Sequence, residues 1–232
     1  MRLTSWYQVL WNTKKTSVLK RAWRRFERDI QMTLLPCCDT KQKKICFLIG
    51  EGQTSSGKPM AAESYNISVS GNSIVLVGAD ELGIIYGLLA ISEKFLGVTP
   101  FWFWNDQIFE KREFVEIAEG NYHSIQYCLR YRGWFINDEV LLDAWRREKI
   151  HKDCEIVENE AWEMAMEALL RLGGNMVIPG TDYNSHRYRQ LAVDMGLWIT
   201  HHHAEPLGAE MFARAYPDLN PSYAEHSELF HE

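Results

Sequence analysis

The sequence predicts an α/β protein. A small N-terminal α+β domain, residues 1–125, precedes the first three βα units of a TIM-type (β/α)8 barrel, residues 126–232, with the barrel cut short. Three observations carry this. Short apolar segments at 133–136, 175–179 and 197–200 each end abruptly in polar groups. Amphipathic helical stretches lie between them, the strand–helix–strand order of parallel units. Upstream, a hairpin and an apolar helix read as a layered α+β unit. A complete (β/α)8 barrel takes about 250 residues. The stretch after residue 130 supplies three strands, so it reads as the front part of a larger barrel.

Composition narrows the function classes. An apolar fraction of 46% and a charged fraction of 24% are those of an ordinary globular protein. A formal charge of -6 weighs against nucleic acid as a partner. No run reaches membrane-spanning length, so no membrane partner is expected. The five cysteines, Cys37, Cys38, Cys46, Cys128 and Cys154, form no CxxC or zinc-ribbon spacing. Reduced thiols and the lack of a charged n-region before an apolar run predict a cytoplasmic protein. Nine Trp and ten Tyr suit either a rich aromatic core or flat platforms for sugar rings.

In chain order, Val18, Ala22, Phe26 and Ile30 fall at steps of four and predict a helix from Ser17 to about Met32. Lys20, Arg21, Arg24, Arg25 and Arg28 are expected on its solvated face. Lys44–Ile49 reads as a strand, followed by a flexible Gly/Ser connection that lacks a phosphate-loop pattern. Tyr65–Ser70 and Ser73–Val77 predict a hairpin, with Gly71-Asn72 as a type II′ turn. A helix from Asp80, its N-cap, to Leu96 follows, closed by Gly97. Gly83 and Gly87 on that helix predict a close approach to the sheet. Phe101-Trp102-Phe103-Trp104 reads as an extended segment, either glue between the domains or, through Trp104, a sugar contact. Glu113–Ile117 is a candidate edge strand.

Beyond residue 130, Trp162, Met166, Leu169 and Leu170 mark one stripe of a helix from about Asn159 to Leu172, ended by Gly173-Gly174. A second helix holds Tyr188, Leu191, Ala192 and Met195. Ligands of parallel α/β sheets bind at the C-terminal ends of the strands. There the sequence places Asn137, Asp138 and Glu139, then Asp182 and Asn184, then His201, His202, His203 and Glu205.

Ala79-Asp80-Glu81-Leu82-Gly83-Ile84-Ile85-Tyr86-Gly87, Leu96-Gly97-Val98 with the aromatic run after Pro100, Tyr131-Arg132-Gly133, Phe135-Ile136-Asn137-Asp138-Glu139 and the His-rich segment ending at Glu205-Pro206 form an ordered set. In that set the sequence resembles glycoside hydrolase family 115, the xylan α-glucuronidase type. The resemblance spans about residues 65–210. It implies an N-terminal α/β domain, a catalytic TIM barrel and release of (4-O-methyl)glucuronic acid from xylan or xylo-oligosaccharides with inversion, without a cofactor. It implies that Asp138 is catalytic and that Asn137, His202 and Glu205 contact substrate; Glu139, His203 and Asp182, at the same strand ends, are further candidate contacts. The His-rich segment carries one residue more than the family's usual His-His-Glu-Pro, so the assignment among His201–His203 stays open.

Asp138 also fits as an N-cap of the following helix. Asp138 and Glu139 are adjacent, so on a strand their side chains diverge and do not by themselves form an acid/base pair. The family's proton donor is expected beyond residue 232, and the chain is expected to be inactive alone. A carbohydrate is the expected partner, with a homodimer as the candidate assembly. Two other readings remain. One is a metal-dependent TIM-barrel hydrolase using the His201/His203 pair. The other is a non-catalytic carbohydrate-binding protein.

Overall fold

The computed structural model describes residues 1–37, 44–52, 59–137, 141–142, 160–203 and 211–231, together with the backbone alone at 182–184. The chain starts with β1 (Arg2–Leu3) and β2 (Tyr7–Asn12). Helix α1 (Ser17–Thr33) follows, then β3 (Ile45–Glu51), β4 (Tyr65–Ser70) and β5 (Ser73–Gly78). Helix α2 (Glu81–Ile91) runs into a π turn at Ser92–Leu96. Strands β6 (Val115–Glu116) and β7 (Gly120–His123) close this part. Next come β8 (Gly133–Phe135), α3 (Glu160–Arg171), β9 (Met176–Ile178), α4 (Asp182–Asp194) and β10 (Trp198–Ile199). Two short helices, α5 (Phe212–Ala215) and α6 (Tyr223–His226), end the described chain.

Five strands form one sheet in the order β2-β3-β5-β4-β7. Strands β2, β3 and β5 run parallel, and β4 returns antiparallel on β5. Gly71 has φ +55 and Asn72 does not share that sign, as a II′ turn requires. Strand β6 pairs with β1, not with the large sheet. Strand β7 is an addition that patterning does not announce, because Gly120-Asn121-Tyr122-His123 has no apolar alternation. It pairs with the edge that β4 leaves open.

Helix α1 lays Trp23 and Phe26 edge-on against Phe47 of β3, with ring centroids 5.7 and 5.5 Å apart. Thr16 caps it, its hydroxyl accepting from the Leu19 N–H. Helix α2 is buried on nearly every side, since the sheet lies under it and α3 over it. A Cβ on Gly83 would stand 2.2 Å from the Ser64 carbonyl oxygen, and one on Gly87 2.3 Å from Leu76 Cδ1. The two glycines do mark a close approach. The helix does not stay α-helical to Leu96, however. It widens at Ser92, whose hydroxyl donates to Asp29 of α1.

Two expectations are corrected at the contact between α1 and α3. The basic side of α1 is not a solvated face, apart from Lys20 and Arg24. Arg25 is buried, Arg28 largely so, and Arg21 reaches Glu163 at 3.0 Å. The reason is α3, which docks there and brings Glu163 and Glu167 one turn apart. Phe101–Trp104 is also not extended. It coils, with the Asn105 N–H donating to the Phe101 carbonyl at 2.9 Å, and Gln107 ties Thr99 to Gly97. The Trp102 indole N–H donates to Glu167 at 3.0 Å and that of Trp104 to the Met164 carbonyl at 3.4 Å. Two indoles of the aromatic run therefore pack the N-terminal layer against α3.

Glu167 is the centre of this contact. Arg28 grips it with two nitrogens, and Arg171 donates to it at 2.9 Å. Arg25 Nε lies 3.2 Å from its other oxygen. Burial alone would raise the Glu167 carboxyl, but Arg171, Arg28 and Arg25 together hold it well below the ordinary carboxylate range. Burial pushes the Arg25 guanidinium down from its usual value.

Candidate active site

Strands β8, β9 and β10 are parallel and adjacent, in the order β10-β9-β8. Each is short and apolar, and each is followed by turn or helix signals. Gly133 is required at the start of β8, because a Cβ there would meet the Met176 carbonyl oxygen at 2.4 Å. Trp134, Val177 and Ile199 stand in register and face the helices. Phe135 and Trp198 face the other way and are 38% and 57% exposed, so the inner face is open among the described residues.

The three strands run out at one level. The Ile136 N–H donates to the Ile178 carbonyl at 3.0 Å and the Thr200 N–H to the Val177 carbonyl at 3.1 Å. Just beyond stand Asn137, Pro179-Gly180 and His201. Asn137 is exposed, one residue past Ile136. His202 is drawn back across the mouth, its ring 5.1 Å from the ring of Phe135 at an interplanar angle of 27°. His203 packs on His202 with centroids 3.8 Å apart. His201 is turned inward, its Nδ1 buried without a hydrogen-bond partner among the described residues.

The structure thus brings Asn137, His202 and His203 together at the C-terminal end of the sheet. Asp182 begins α4 directly after β9, which puts its backbone at the same end. Asp138, Glu139 and Glu205 lie outside the described residues, as do the side chains of Asp182 and Asn184. Trp104 stands instead against α3, with its N–H engaged. Among the described residues no three potential ligands gather as a metal site would require, and Asp138 and Glu205, its other candidates, lie outside them. Phe135 escapes sequence reading as a site residue. Its signal is positional: it is the outward-alternating residue at a strand end.

The opposite end of the sheet is built differently. Asn175, fully buried before β9, accepts from the Arg132 N–H at 2.8 Å and donates to Glu63 and to the Arg130 carbonyl, each at 2.7 Å. Arg132 pairs with Glu63 and lies 3.8 Å over the Tyr127 ring. The Tyr86 hydroxyl donates to the Gly174 carbonyl at 2.8 Å, and burial with the nearby Glu63 carboxylate pushes its pKa up. A cleft of about 310 Å³ opens beside Glu63, Tyr127 and Arg130. The polar groups at this end are paired with one another, whereas at the other end Asn137 and His203 are exposed. In parallel barrels the first arrangement serves stability and the second serves ligands.

Residues 125–232 match the family described as Glycosyl hydrolase family 115. The chain is also similar in fold to solved structures. Over 99% of its length it is similar to BtGH115A, a family GH115 4-O-methyl-alpha-glucuronidase with specificity for decorated arabinogalactans, at a TM-score of 0.72 and 22% identity. The chain covers 33% of that enzyme. It is also similar to a chitobiase of Flavobacterium johnsoniae, at a TM-score of 0.53 and 14% identity, with 100% of this chain and 40% of that one covered. A beta-N-acetylhexosaminidase of Bacteroides fragilis gives 0.51 and 12%, with 94% and 44% covered. At these identities the likeness shows the fold alone. No curated protein matches the sequence.

Proposed function

We propose that the chain carries the sugar-binding mouth of an α-glucuronidase-type glycoside hydrolase. Residues 126–232 are its first three βα units of a (β/α)8 barrel. The substrate is a glycan bearing a terminal (4-O-methyl)glucuronic acid, on xylan or xylo-oligosaccharides. Decorated arabinogalactans, named for the similar family 115 enzyme, carry the reading to the same terminal sugar on another backbone. The observation that supports it best is the contact between Phe135 and His202, which ties the ends of the first and third strands into one mouth.

An inverting glycosidase places a protonated carboxyl group at the leaving oxygen and a carboxylate at the attacking water, about 6.5–9.5 Å apart. Asp138, next after Asn137, is the catalytic carboxyl group in this reading. Asn137 and Glu139 hold sugar hydroxyls. His202 and His203 donate to the uronic carboxylate, which charge-assisted hydrogen bonds favour. Asp182 and Glu205 complete the ring of contacts. No cofactor takes part. Trp104 serves packing in this reading. The three units supply binding, and turnover needs the other carboxyl group of the pair, so these 232 residues bind glucuronate without cleaving glycosides.

The test uses the purified chain. It should bind D-glucuronate, lose affinity on Asp138→Asn, and release no glucuronic acid from aldouronic oligosaccharides. Robust release would overturn the division between binding and turnover. Binding indifferent to Asp138→Asn would favour a non-catalytic carbohydrate-binding protein.

A further inference from the structure

We propose that Phe135 is a positioning residue for the sugar site: its ring holds the His202 imidazole over the mouth, and the two rings together offer a flat apolar face to the C–H face of a bound hexuronate. The sugar-facing half of this inference rests on the glucuronidase reading above; the positioning half rests on geometry alone.

Phe135 and His202 belong to the outer two of three adjacent strands, with β9 between them. Their rings meet only because both side chains lean over the end of β9. That strand stops at Ile178, and Gly180, with φ +92, turns the chain away and adds no side chain. Phe135 stands in register with Ile178, so its ring rises at the last paired position of the sheet. The near-parallel stack fixes the imidazole plane, which a lone strand-end histidine would leave free to rotate. His203 adds a third ring at 3.8 Å from His202.

A phenyl ring left 38% exposed at a site mouth keeps apolar area in water that a ligand can cover. Pyranose rings present a flat C–H face that suits such a surface, while an imidazole N–H can donate to the sugar carboxylate. The ligand class that fits both features is a hexuronate, bound by its ring face and its carboxylate together.

Three variants of the chain, Phe135→Ala, Phe135→Leu and Phe135→Tyr, would be compared by NMR of the His202 ring and by D-glucuronate titration. Met176→Ala is the control, on the same face but two residues nearer the strand starts. Phe135→Ala should displace the ligand-free His202 ring signals and weaken glucuronate about tenfold, the scale of one ring contact. Phe135→Leu, which keeps apolar bulk without the flat face, should follow it and serves if the alanine variant does not fold. Phe135→Tyr should stay within about threefold of the unaltered chain. Met176→Ala should change neither readout.

Unchanged His202 signals in Phe135→Ala and Phe135→Leu would overturn the positioning role. Equal loss of affinity in Met176→Ala would overturn it too, since the effect would then belong to the sheet at large. If the unaltered chain binds no D-glucuronate, the glucuronidase reading falls and the sugar-facing half falls with it. The His202 signals still decide the positioning half in that case.

Discussion

Arg28 and Glu167 face each other across the α1–α3 contact as a two-pronged ion pair, Nη1 to Oε2 at 2.9 Å and Nη2 to Oε1 at 2.6 Å. The carboxylate is fully buried and shared by three guanidinium groups. Removing its charge leaves Arg28 and Arg171 with Asp29, and takes from Arg25 the carboxylate it lies against.

Glu167→Gln should therefore destabilise the chain by about 3–5 kcal/mol at neutral pH, the cost of breaking a buried ion pair from one side. The Glu167 carboxyl is held below its unfolded value, near 4.5. Its contribution is therefore present above that pH and is lost as pH falls below it toward the folded value. Thermal melts from pH 7 to pH 3 should show a steeper acid decline for the unaltered chain than for Glu167→Gln. Parallel curves would count against this account.

At Gly83 two effects of opposite sign compete. Alanine in a helix interior gains about 1 kcal/mol over glycine. The Ser64 carbonyl oxygen, 2.2 Å from the added Cβ, is backbone and cannot swing aside. Overpacking costs of about 1–3 kcal/mol are expected to win. Gly83→Ala should lower the urea midpoint, and a raised midpoint would mean that α2 lifts freely from the sheet.

Asn175→Ala tests the difference between the two ends of the small sheet. It removes three hydrogen bonds at a fully buried position and strands the Arg132 N–H and the Arg130 carbonyl. A loss of about 3 kcal/mol is expected from denaturant unfolding. D-glucuronate affinity, measured well below the melting temperature, should stay the same.

Trp104→Phe should cost about 1 kcal/mol or less, since its one described hydrogen bond is long, at 3.4 Å. It should leave D-glucuronate affinity unaltered. A large fall in affinity at unchanged stability would move Trp104 from the packing of α3 to the sugar site.

Much of the fold is legible in the sequence because its signals are local. The hairpin at Gly71-Asn72, the cap at Asp80 and the paired glycines of α2 each lie within a dozen residues, and the short apolar strands β8, β9 and β10 are legible one by one. What escapes the sequence depends on partners far along the chain. Patterning assigns no strand to Tyr7–Asn12 or Gly120–His123, because each is specified by the open edge it meets. Arg25 and Arg28 read as surface charges until α3, more than 130 residues later, supplies Glu167. Phe101–Trp104 reads as extended because aromatic residues favour strands. Its coil is imposed by Gln107 and the two indole contacts with α3. For the site, the strand ends are legible from polarity alone, while the ring contact of Phe135 with His202 spans three strands and is not.

Helix α2, covered by the five-stranded sheet on one side and by α3 on the other, has a practical consequence. A cut at residue 125 separates two stretches of sequence but not two self-sufficient bodies. Either piece, expressed by itself, would present a greasy slab to water and is a poor candidate for soluble production. Anyone wishing to transplant residues 126–232 should carry residues 1–125 along as their lining.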